Sequence, residues 1–240
     1  MALLAIETAT QQLGVAVIDG ERVLSSYELL AEYPHSVELP GAVTRVLQAA
    51  RLRLRELDGL VVDIGPGSFT GLRIGVAFAK SLAFTTQKPL VGIPSLDVLA
   101  AQVPFHSQPV CPLLDAKRRN VYAAVYEPSH GGMPAKRGEY LLAPVEDILA
   151  QVNGPAIFLG DGCALYRDRI TARCPQAQFA PPESWWPQAA TLGRLGWLKF
   201  SQGQRDDPAR LTPLYLYAQT CQVNLSSRPQ GAPRKPVKTA

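Results

Sequence analysis

The chain has 240 residues, 47% of them hydrophobic and 18% charged, which suffices for one large domain or two small ones with buried cores. Its longest apolar runs fall short of the roughly 20 residues that a membrane-spanning helix needs. The net charge of +4 is carried by segment 221–240, which has no acidic residue, and residues 1–220 sum to zero. A neutral body argues against a protein that tracks nucleic-acid phosphates over a broad surface.

The two ends of the chain predict its surroundings. Segment 221–240 is rich in Pro, Ser and Gly and predicts a disordered basic tail, with nucleic-acid contact as the alternative to a solvated end. The N-terminus lacks the basic region of a signal peptide and predicts a first strand. No Cys-x-x-Cys pair occurs among the four cysteines, Cys111, Cys163, Cys174 and Cys221. We therefore expect a cytoplasmic protein.

The chain opens with three predicted strands, over 3–7, 14–19 and 22–29, joined by polar turns. This meander resembles the opening of the actin, Hsp70 and sugar kinase (ASKHA) superfamily, in which an acidic residue and a hydroxyl-bearing turn face a nucleotide phosphate. The resemblance places Glu7, Thr8 and Thr10 in those positions. A plain hairpin without a ligand is the alternative.

A helix predicted over 39–54 follows, with Pro40 in its first turn and an apolar stripe formed by Leu39, Val43, Val46, Leu47 and Ala50. Arg51, Arg53 and Arg55 come after the stripe. We interpret them as a helix end favoured by the helix dipole, in preference to a nucleic-acid patch.

The central stretch is Gly65-Pro66-Gly67-Ser68-Phe69-Thr70-Gly71-Leu72-Arg73-Ile74-Gly75. A buried strand over 60–64 precedes it, and a helix over 69–87 begins within it. Gly65 and Gly67 allow positive φ or close backbone approach, while Ser68 is a natural N-cap whose helix start can hold an anion. Glycine inside a helix costs roughly 1 kcal/mol relative to alanine, so the small face needs a compensating ligand or partner. That face consists of Gly71, Gly75 and Ala79, with Leu72 and Val76 beside it.

The next elements are a strand over 89–93 and a helix from 95 to about 101. A hairpin over 110–114 and 120–127 follows, around the turn Asp115-Ala116-Lys117-Arg118. Beyond a loop at 130–134 we predict a helix over 145–152, a strand over 156–159 and a short helix ending near 170. A final helix over 187–202 precedes segment 213–217, which closes the ordered part.

The sequence lacks several common catalytic and nucleotide-binding motifs. The Gly-Lys-Ser/Thr triplet of a Walker A loop does not follow Gly65 or Gly67, and Ser68 lacks the flanking glycines of a nucleophile elbow. A Rossmann fingerprint fails because its third glycine comes one residue late, although Asp97 after the next strand keeps that alternative open. The three histidines, His35, His106 and His130, are isolated, so no metal site is expected.

The run 65–75 resembles the TsaB (YeaZ) family, and the similarity extends over about residues 2–217. Further matching positions are Ile6-Glu7-Thr8, His35-Ser36, Pro94-Ser95-Leu96, Asp115-Ala116, Val121-Tyr122, Gly160-Asp161-Gly162 and Pro213-Leu214-Tyr215-Leu216. The resemblance implies an accessory subunit of bacterial tRNA threonylcarbamoyladenosine formation. It also implies an α/β fold of two similar ASKHA-type halves, each a mixed sheet with helices. We assign them to residues 1–103 and 104–220, followed by the tail.

The catalytic paralogue of this family, TsaD, carries a His-x-x-x-His metal pair, where this chain has Ile93 and Asp97. One apolar side chain and one carboxylate cannot replace two imidazoles, so the resemblance implies a non-catalytic scaffold that requires no cofactor and no metal. ATP or ADP binding stays open. The alternative is a nucleotide-binding phosphotransferase or hydrolase that would use Glu7, Thr8, Thr10, Gly65 and Gly67.

The family uses the helix pair 39–54 and 69–87 for self-association and for binding TsaD. The implied partners are a second copy, TsaD and the ATPase TsaE, with tRNA reached only through the complex and no membrane. The residues expected at the interface are Leu39, Val43, Val46, Leu47, Gly71, Leu72, Gly75, Val76 and Ala79. This chain departs from the family at Lys117 and Tyr217, where arginine is usual.

Overall fold

The part of the chain that the structure describes contains two five-stranded mixed sheets. The computed structural model describes residues 1–30, 35–103, 107–128 and 135–217. The predictions for His106, His130, Cys221, the loop 130–134 and the tail therefore lie outside the described residues. None of the helices in the described ranges is long and apolar enough to cross a bilayer.

The first sheet has the strand order β3-β2-β1-β4-β5. Its strands are β1 (Ala2–Glu7), β2 (Gln12–Asp19), β3 (Arg22–Leu30), β4 (Gly59–Gly65) and β5 (Leu90–Pro94). Strands β1 and β2, and β2 and β3, pair antiparallel, whereas β4 runs parallel to both β1 and β5. Parallel strands need crossover helices, which here cover the sheet. The strands β1 and β4 are accordingly buried and mostly apolar.

The second sheet repeats this topology in the order β8-β7-β6-β9-β10. Its strands are β6 (Val110–Asp115), β7 (Asn120–Glu127), β8 (Ala135–Pro144), β9 (Ile157–Leu159) and β10 (Gln178–Phe179). The β6–β7–β8 pairs are antiparallel and the β6–β9–β10 pairs are parallel, as in the first sheet. The predicted fold of two similar α/β halves is therefore confirmed.

Within the described ranges, six α-helices cover the two sheets: α1 (His35–Ala49), α2 (Phe69–Thr86), α3 (Ser95–Ala101), α4 (Val145–Leu149), α5 (Gly162–Arg173) and α6 (Ala189–Ser201). Helix α1 begins four residues before the predicted position and ends earlier. Its C-terminal cap includes Arg51, whose φ of 58° is left-handed. There, Arg51 N donates to Gln48 O and Leu52 N donates to Leu47 O, the pattern of a Schellman cap.

The first sheet is buried on both faces. Helices α1 and α2 contact each other and pack on one face through Leu39, Val46, Val76 and Ala79. Helix α6 packs on the opposite face, where Leu192 and Phe200 meet Leu3, Ala5 and Val61.

The position of α6 corrects the predicted domain boundary. Residues 189–217 were grouped with the second half, yet α6 belongs to the core of the first. The chain then stays on the first sheet, since Asp206 N donates to Leu90 O and Leu214 N donates to Ile64 O. The first lobe is therefore built from both ends of the described chain.

Candidate functional site

The glycine-rich turn joins β4 to α2 beside the loop that follows β1. Gly65 has a φ of +98°, and Ser68 caps the helix by accepting a hydrogen bond from Gly71 N at 3.2 Å, which confirms the predicted N-cap. Ser68 N donates to Ala9 O at 2.7 Å. The turn and the first loop are thus held together as one unit at the carboxyl ends of β1 and β4.

The small face of α2 packs against this loop inside the chain. The Thr8 hydroxyl donates to Gly71 O at 2.8 Å. A Cβ atom on Gly71 would overlap Thr8 O, and one on Gly75 would lie within 3.0 Å of Thr8 Oγ1. The glycines are therefore required for the close approach of α2 to the end of β1. The contact that compensates for their low helix propensity is with Thr8 of the same chain.

The residues expected at a partner interface are mostly part of the core. Leu39, Val43, Val46, Gly71, Leu72, Gly75, Val76 and Ala79 are buried, and Leu47 is half-buried. The small face does not point outward as the sequence suggested. The apolar side chains that these two helices leave accessible are others: Val37 is 67% exposed, Phe69 and Phe84 are each 54% exposed, and Ile74, Phe78 and Leu82 are half-buried.

Two carboxyl groups lie completely buried where β1 and β4 end, those of Glu7 and Asp63. Glu7 Oε1 accepts a hydrogen bond from Ala9 N, and Asp63 Oδ1 accepts hydrogen bonds from Gly65 N and from the Ser95 hydroxyl, each at 2.6 Å. The remaining oxygens, Glu7 Oε2 and Asp63 Oδ2, have no partner among the other groups described.

Burial, reinforced by the Asp63 carboxyl, raises the pKa of Glu7 well above its usual range. Burial also raises the pKa of Asp63, against the hydrogen bonds that favour its charged form. Two buried carboxyl groups disfavour double ionisation, and we expect Glu7, whose pKa is raised well above its usual range, to carry the proton. Because both groups are completely buried, neither offers an accessible carboxylate to a ligand.

A cleft of about 460 Å³ lies between the lobes. Its first-lobe wall includes Thr10, Gly67 and Phe69, and its second-lobe wall includes Asp115, Lys117, Tyr122, Asp161, Trp186 and Tyr217. Of the five residues predicted to contact a nucleotide phosphate, only Thr10 and Gly67 line this cleft. The other three, Glu7, Thr8 and Gly65, are buried behind it. The predicted phosphate set is therefore only partly present at the cleft, and nucleotide binding stays a prediction.

The two residues at the positions of the metal-binding histidines of TsaD, Ile93 and Asp97, both contact other residues of this chain. Ile93 is 2% exposed within the first-lobe core. Asp97 Oδ1 accepts hydrogen bonds from Tyr126 at 2.6 Å and from Tyr140 at 2.8 Å. Asp97 thereby ties α3 of the first lobe to β7 and β8 of the second. Within the described ranges, no group of three or more His, Cys, Asp or Glu side chains is placed to hold a metal ion.

The two departures from the family pattern line the cleft. Lys117 forms an ion pair with Asp115, and its backbone N donates to the same carboxylate. The Tyr217 hydroxyl donates to Ala116 O at 2.8 Å, and its ring meets Tyr122 edge to face at 6.2 Å. Sequence reasoning did not assign a site role to the aromatic residues of this cleft, because they come from four separate segments.

Sequence comparison shows which known proteins this chain resembles. The family model described as tRNA N6-adenosine threonylcarbamoyltransferase (TsaD) matches residues 29–177. The chain is 33% identical over 172 residues to the tRNA threonylcarbamoyladenosine biosynthesis protein TsaB of Bacillus subtilis, covering 71% of this chain and 75% of the relative. It is 30% identical to the TsaB protein of Escherichia coli, over 70% of this chain and 74% of the relative.

Solved structures agree. YeaZ from Pseudomonas aeruginosa superposes with a TM-score of 0.76 at 25% identity, covering 90% of this chain and 99% of that one. Component A of (R)-2-hydroxyglutaryl-CoA dehydratase from Acidaminococcus fermentans, with a TM-score of 0.50 at 9% identity, shares the fold alone, over 84% of this chain and 99% of that one. The chain thus belongs to the TsaB (YeaZ) family, whose named members act in tRNA threonylcarbamoyladenosine biosynthesis.

Proposed function

We propose that the chain is a non-catalytic scaffold subunit, which binds TsaD and, with TsaE, supports threonylcarbamoyl transfer to the tRNA adenosine next to the anticodon. Membership of the TsaB family and the match to a TsaD-type family model support a place in this process. In this proposal the chain needs no cofactor or metal of its own, and it acts in the cytoplasm.

One observation carries the non-catalytic assignment: the two acidic groups at the ends of β1 and β4 are sequestered. Glu7 and Asp63 are fully buried in the core, and burial raises the pKa of both. A general base or a metal ligand must present a free, accessible lone pair, which these two carboxyl groups do not. Asp97 Oδ1 is in turn occupied by two tyrosine hydroxyls. The same observation disfavours the alternative of a phosphotransferase or hydrolase.

The contact surface that we propose is the outward side of α1 and α2. Its accessible apolar residues are Val37, Leu47, Ile74, Phe78 and Leu82. Helices that lie side by side on a sheet offer a ridged surface onto which two further helices can pack. A homodimer would use this same surface on both copies, so self-association and TsaD binding should compete.

Two matched substitutions test this surface. Val37→Glu places a charge on the outward side of α1, near the helix start where an acidic side chain is favourable. Phe84→Glu makes the same kind of change on α2, at a phenylalanine that is 54% exposed and lies in a separate groove with Tyr215. We expect Val37→Glu to lose co-purification with TsaD and homodimer formation together, and Phe84→Glu to retain both.

The assay for the function itself is reconstitution. The purified chain alone should show no ATP turnover and no tRNA modification, but should restore modification to TsaD, TsaE and the threonylcarbamoyl-adenylate synthase. Turnover by the chain alone would overturn the scaffold assignment. Normal TsaD binding by a folded Val37→Glu protein would place the interface elsewhere.

A further inference from the structure

The turn between β6 and β7 consists of three consecutive basic residues in an unusual backbone conformation. Lys117, Arg118 and Arg119 have φ values of 63°, 51° and 65°, all in the left-handed region. All three side chains are exposed. The left-handed conformation costs a residue with a Cβ roughly 1–2 kcal/mol, whereas glycine adopts it freely.

The turn is held rigidly despite this cost. Asn120 N donates to Lys117 O at 2.9 Å, Ala116 N donates to Asn120 O at 3.0 Å, and Lys117 N donates to Asp115 Oδ1 at 2.9 Å. A glycine or asparagine would close the same hairpin with less strain. Strained backbone that a fold maintains is a reason to look for a function there. What this turn presents, and a glycine turn would lack, is a cluster of cationic side chains.

The turn stands at the cleft between the lobes, since Lys117 lines it. On the first-lobe side, Phe69 lines the cleft and is 54% exposed. Tyr215 and Arg73 belong to the neighbouring groove that Phe84 also lines. The Tyr215 ring centroid lies 5.3 Å from that of Phe69, and the Arg73 guanidinium lies 3.9 Å from the Phe69 ring centroid. Trp186 and Tyr217 are half-buried in the opposite wall. Cations beside accessible aromatic rings are the combination that binds single-stranded nucleic acid, in which phosphates are paired and bases are stacked.

The acidic groups in the cleft are compatible with this ligand. Asp115 is already paired with Lys117, and Asp161 Oδ1 accepts a hydrogen bond from Asp115 N at 2.9 Å. Both carboxylates lie deeper than the exposed turn and are half-buried. Their remaining oxygens can accept hydrogen bonds from a base amino group or a ribose hydroxyl, while repulsion of a phosphate is confined to the cleft floor.

We propose that this chain itself contacts single-stranded RNA, with phosphates on the Lys117–Arg119 turn and a base against the aromatic residues of the cleft. The proposal goes beyond the scaffold role, in which tRNA is reached only through the complex. It rests on the proposed function in one respect, which is that a tRNA loop is then the natural ligand. It also differs from nucleotide binding of the ASKHA type, because the phosphates meet the second lobe and not the loop after β1. A body without net charge can still carry such a site, since the turn concentrates its cations locally.

The test uses the full chain and a labelled hairpin RNA with a single-stranded loop, titrated by fluorescence anisotropy at several salt concentrations. Arg119→Gly removes one cation and relieves one left-handed residue. We expect affinity to fall on the order of tenfold, as for loss of a charged hydrogen bond. The slope of log K against log salt concentration should become less negative by about 0.7, because one phosphate contact is lost. The melting temperature should rise, so lost binding cannot reflect lost folding.

Arg51→Gly is the matched control, because Arg51 is also exposed, cationic and left-handed, with a φ of 58°. It lies past the end of α1, in the segment that leads into the start of β4, and does not line the cleft at the carboxyl ends of β1 and β4. It should show the same stabilisation with unchanged RNA affinity, and Arg119→Lys should retain most of the binding. A second RNA, a blunt duplex, should bind more weakly than the hairpin.

Three results would overturn the proposal: no RNA binding by the wild-type chain, binding by Arg119→Gly equal to wild type, or an equal loss in Arg51→Gly. The second result would also be seen if the basic tail alone held the RNA. Displacement of the hairpin by AMP at concentrations similar to those of RNA would assign the cleft to a free nucleotide instead. Co-purification with TsaD, measured on the same variants, should stay unchanged, so failure here would leave the scaffold role standing.

Discussion

Replacing Gly75 by alanine tests whether the small face of α2 serves the chain's own core. The added Cβ would lie within 3.0 Å of Thr8 Oγ1, in a buried position where the Thr8 hydroxyl donates to Gly71 O at 2.8 Å. The atom it meets sits on a short β-branched side chain, which cannot swing away as a long side chain would. Either α2 shifts from β1, or the hydrogen bond breaks.

The expected cost follows from these contacts. Overpacking a filled core costs about 1–3 kcal/mol, and a buried hydroxyl left without its partner costs about 1–3 kcal/mol more. Alanine regains about 1 kcal/mol through its higher helix propensity. The net destabilisation is therefore about 1–5 kcal/mol. For a chain of this length, a central value of about 3 kcal/mol lowers the melting temperature by roughly 6–12 °C.

Gly41 provides the matched control, because it lies within α1 and an added Cβ there would meet no atom within 4 Å. Gly41→Ala should gain about 1 kcal/mol from propensity alone. Both variants are measured by urea unfolding and thermal melting monitored by circular dichroism. Adding Thr8→Ala to Gly75→Ala should recover part of the loss, because it removes the obstructing hydroxyl.

A Gly75→Ala protein as stable as Gly41→Ala would refute this account. That result would mean that α2 can move away from β1 at no cost, and that the glycines are needed for something outside the monomer. The sequence-based expectation of a partner contact at Gly75 would then regain its basis.

Two carboxyl groups give further predictions. Desolvation raises the pKa of Glu28 from 4.5 to about 7, although the residue as a whole is exposed at the surface. The folded state therefore holds this proton more tightly than the unfolded chain, and stability should fall as pH rises from about 4.5 to about 7. Because solvent screens an exposed group, the loss should be small, about 1 kcal/mol or less. Urea unfolding across that window should show a flatter profile for Glu28→Gln, and an unchanged slope would mean that Glu28 is ionised in the folded protein. Glu7→Gln keeps a hydrogen-bond donor toward Asp63 and should melt within a few degrees of wild type at neutral pH, whereas Glu7→Ala strands Asp63 and should cost about 2–5 kcal/mol. Equal destabilisation by both substitutions would show that Glu7 is not the protonated partner.

The sequence by itself determined the local structure and the family. Apolar runs and their spacing located β1, β4 and most of α2, since burial on both faces of a sheet imposes a continuous apolar stretch. The identity of Ser68 located the start of α2, because a hydroxyl before an amphipathic run is a local signal. The Gly65–Gly75 motif carried the family assignment, which the comparisons confirmed.

Weak local signals explain the elements that were missed or misplaced. The sequence does not predict strand β8, because most of Ala135–Pro144 is exposed and shows no strand pattern of apolar residues. This strand is stabilised by its hydrogen-bonded pairing with β7. The end of α1 depends on a left-handed Arg51, a conformation that propensity would assign to glycine.

Only the tertiary structure decided what each pattern packs against. Periodicity showed that α2 has a small face, but not that Thr8, 63 residues from Gly71, would cover it. Glu7 and Asp63 lie near each other because the parallel strands β1 and β4 end at the same edge of the sheet, and no local stretch of sequence contains this information. Helix α6 packs on the first sheet, which its own sequence does not specify. An apolar helix face indicates that the face is buried, but the surface that buries it depends on the three-dimensional arrangement of the chain.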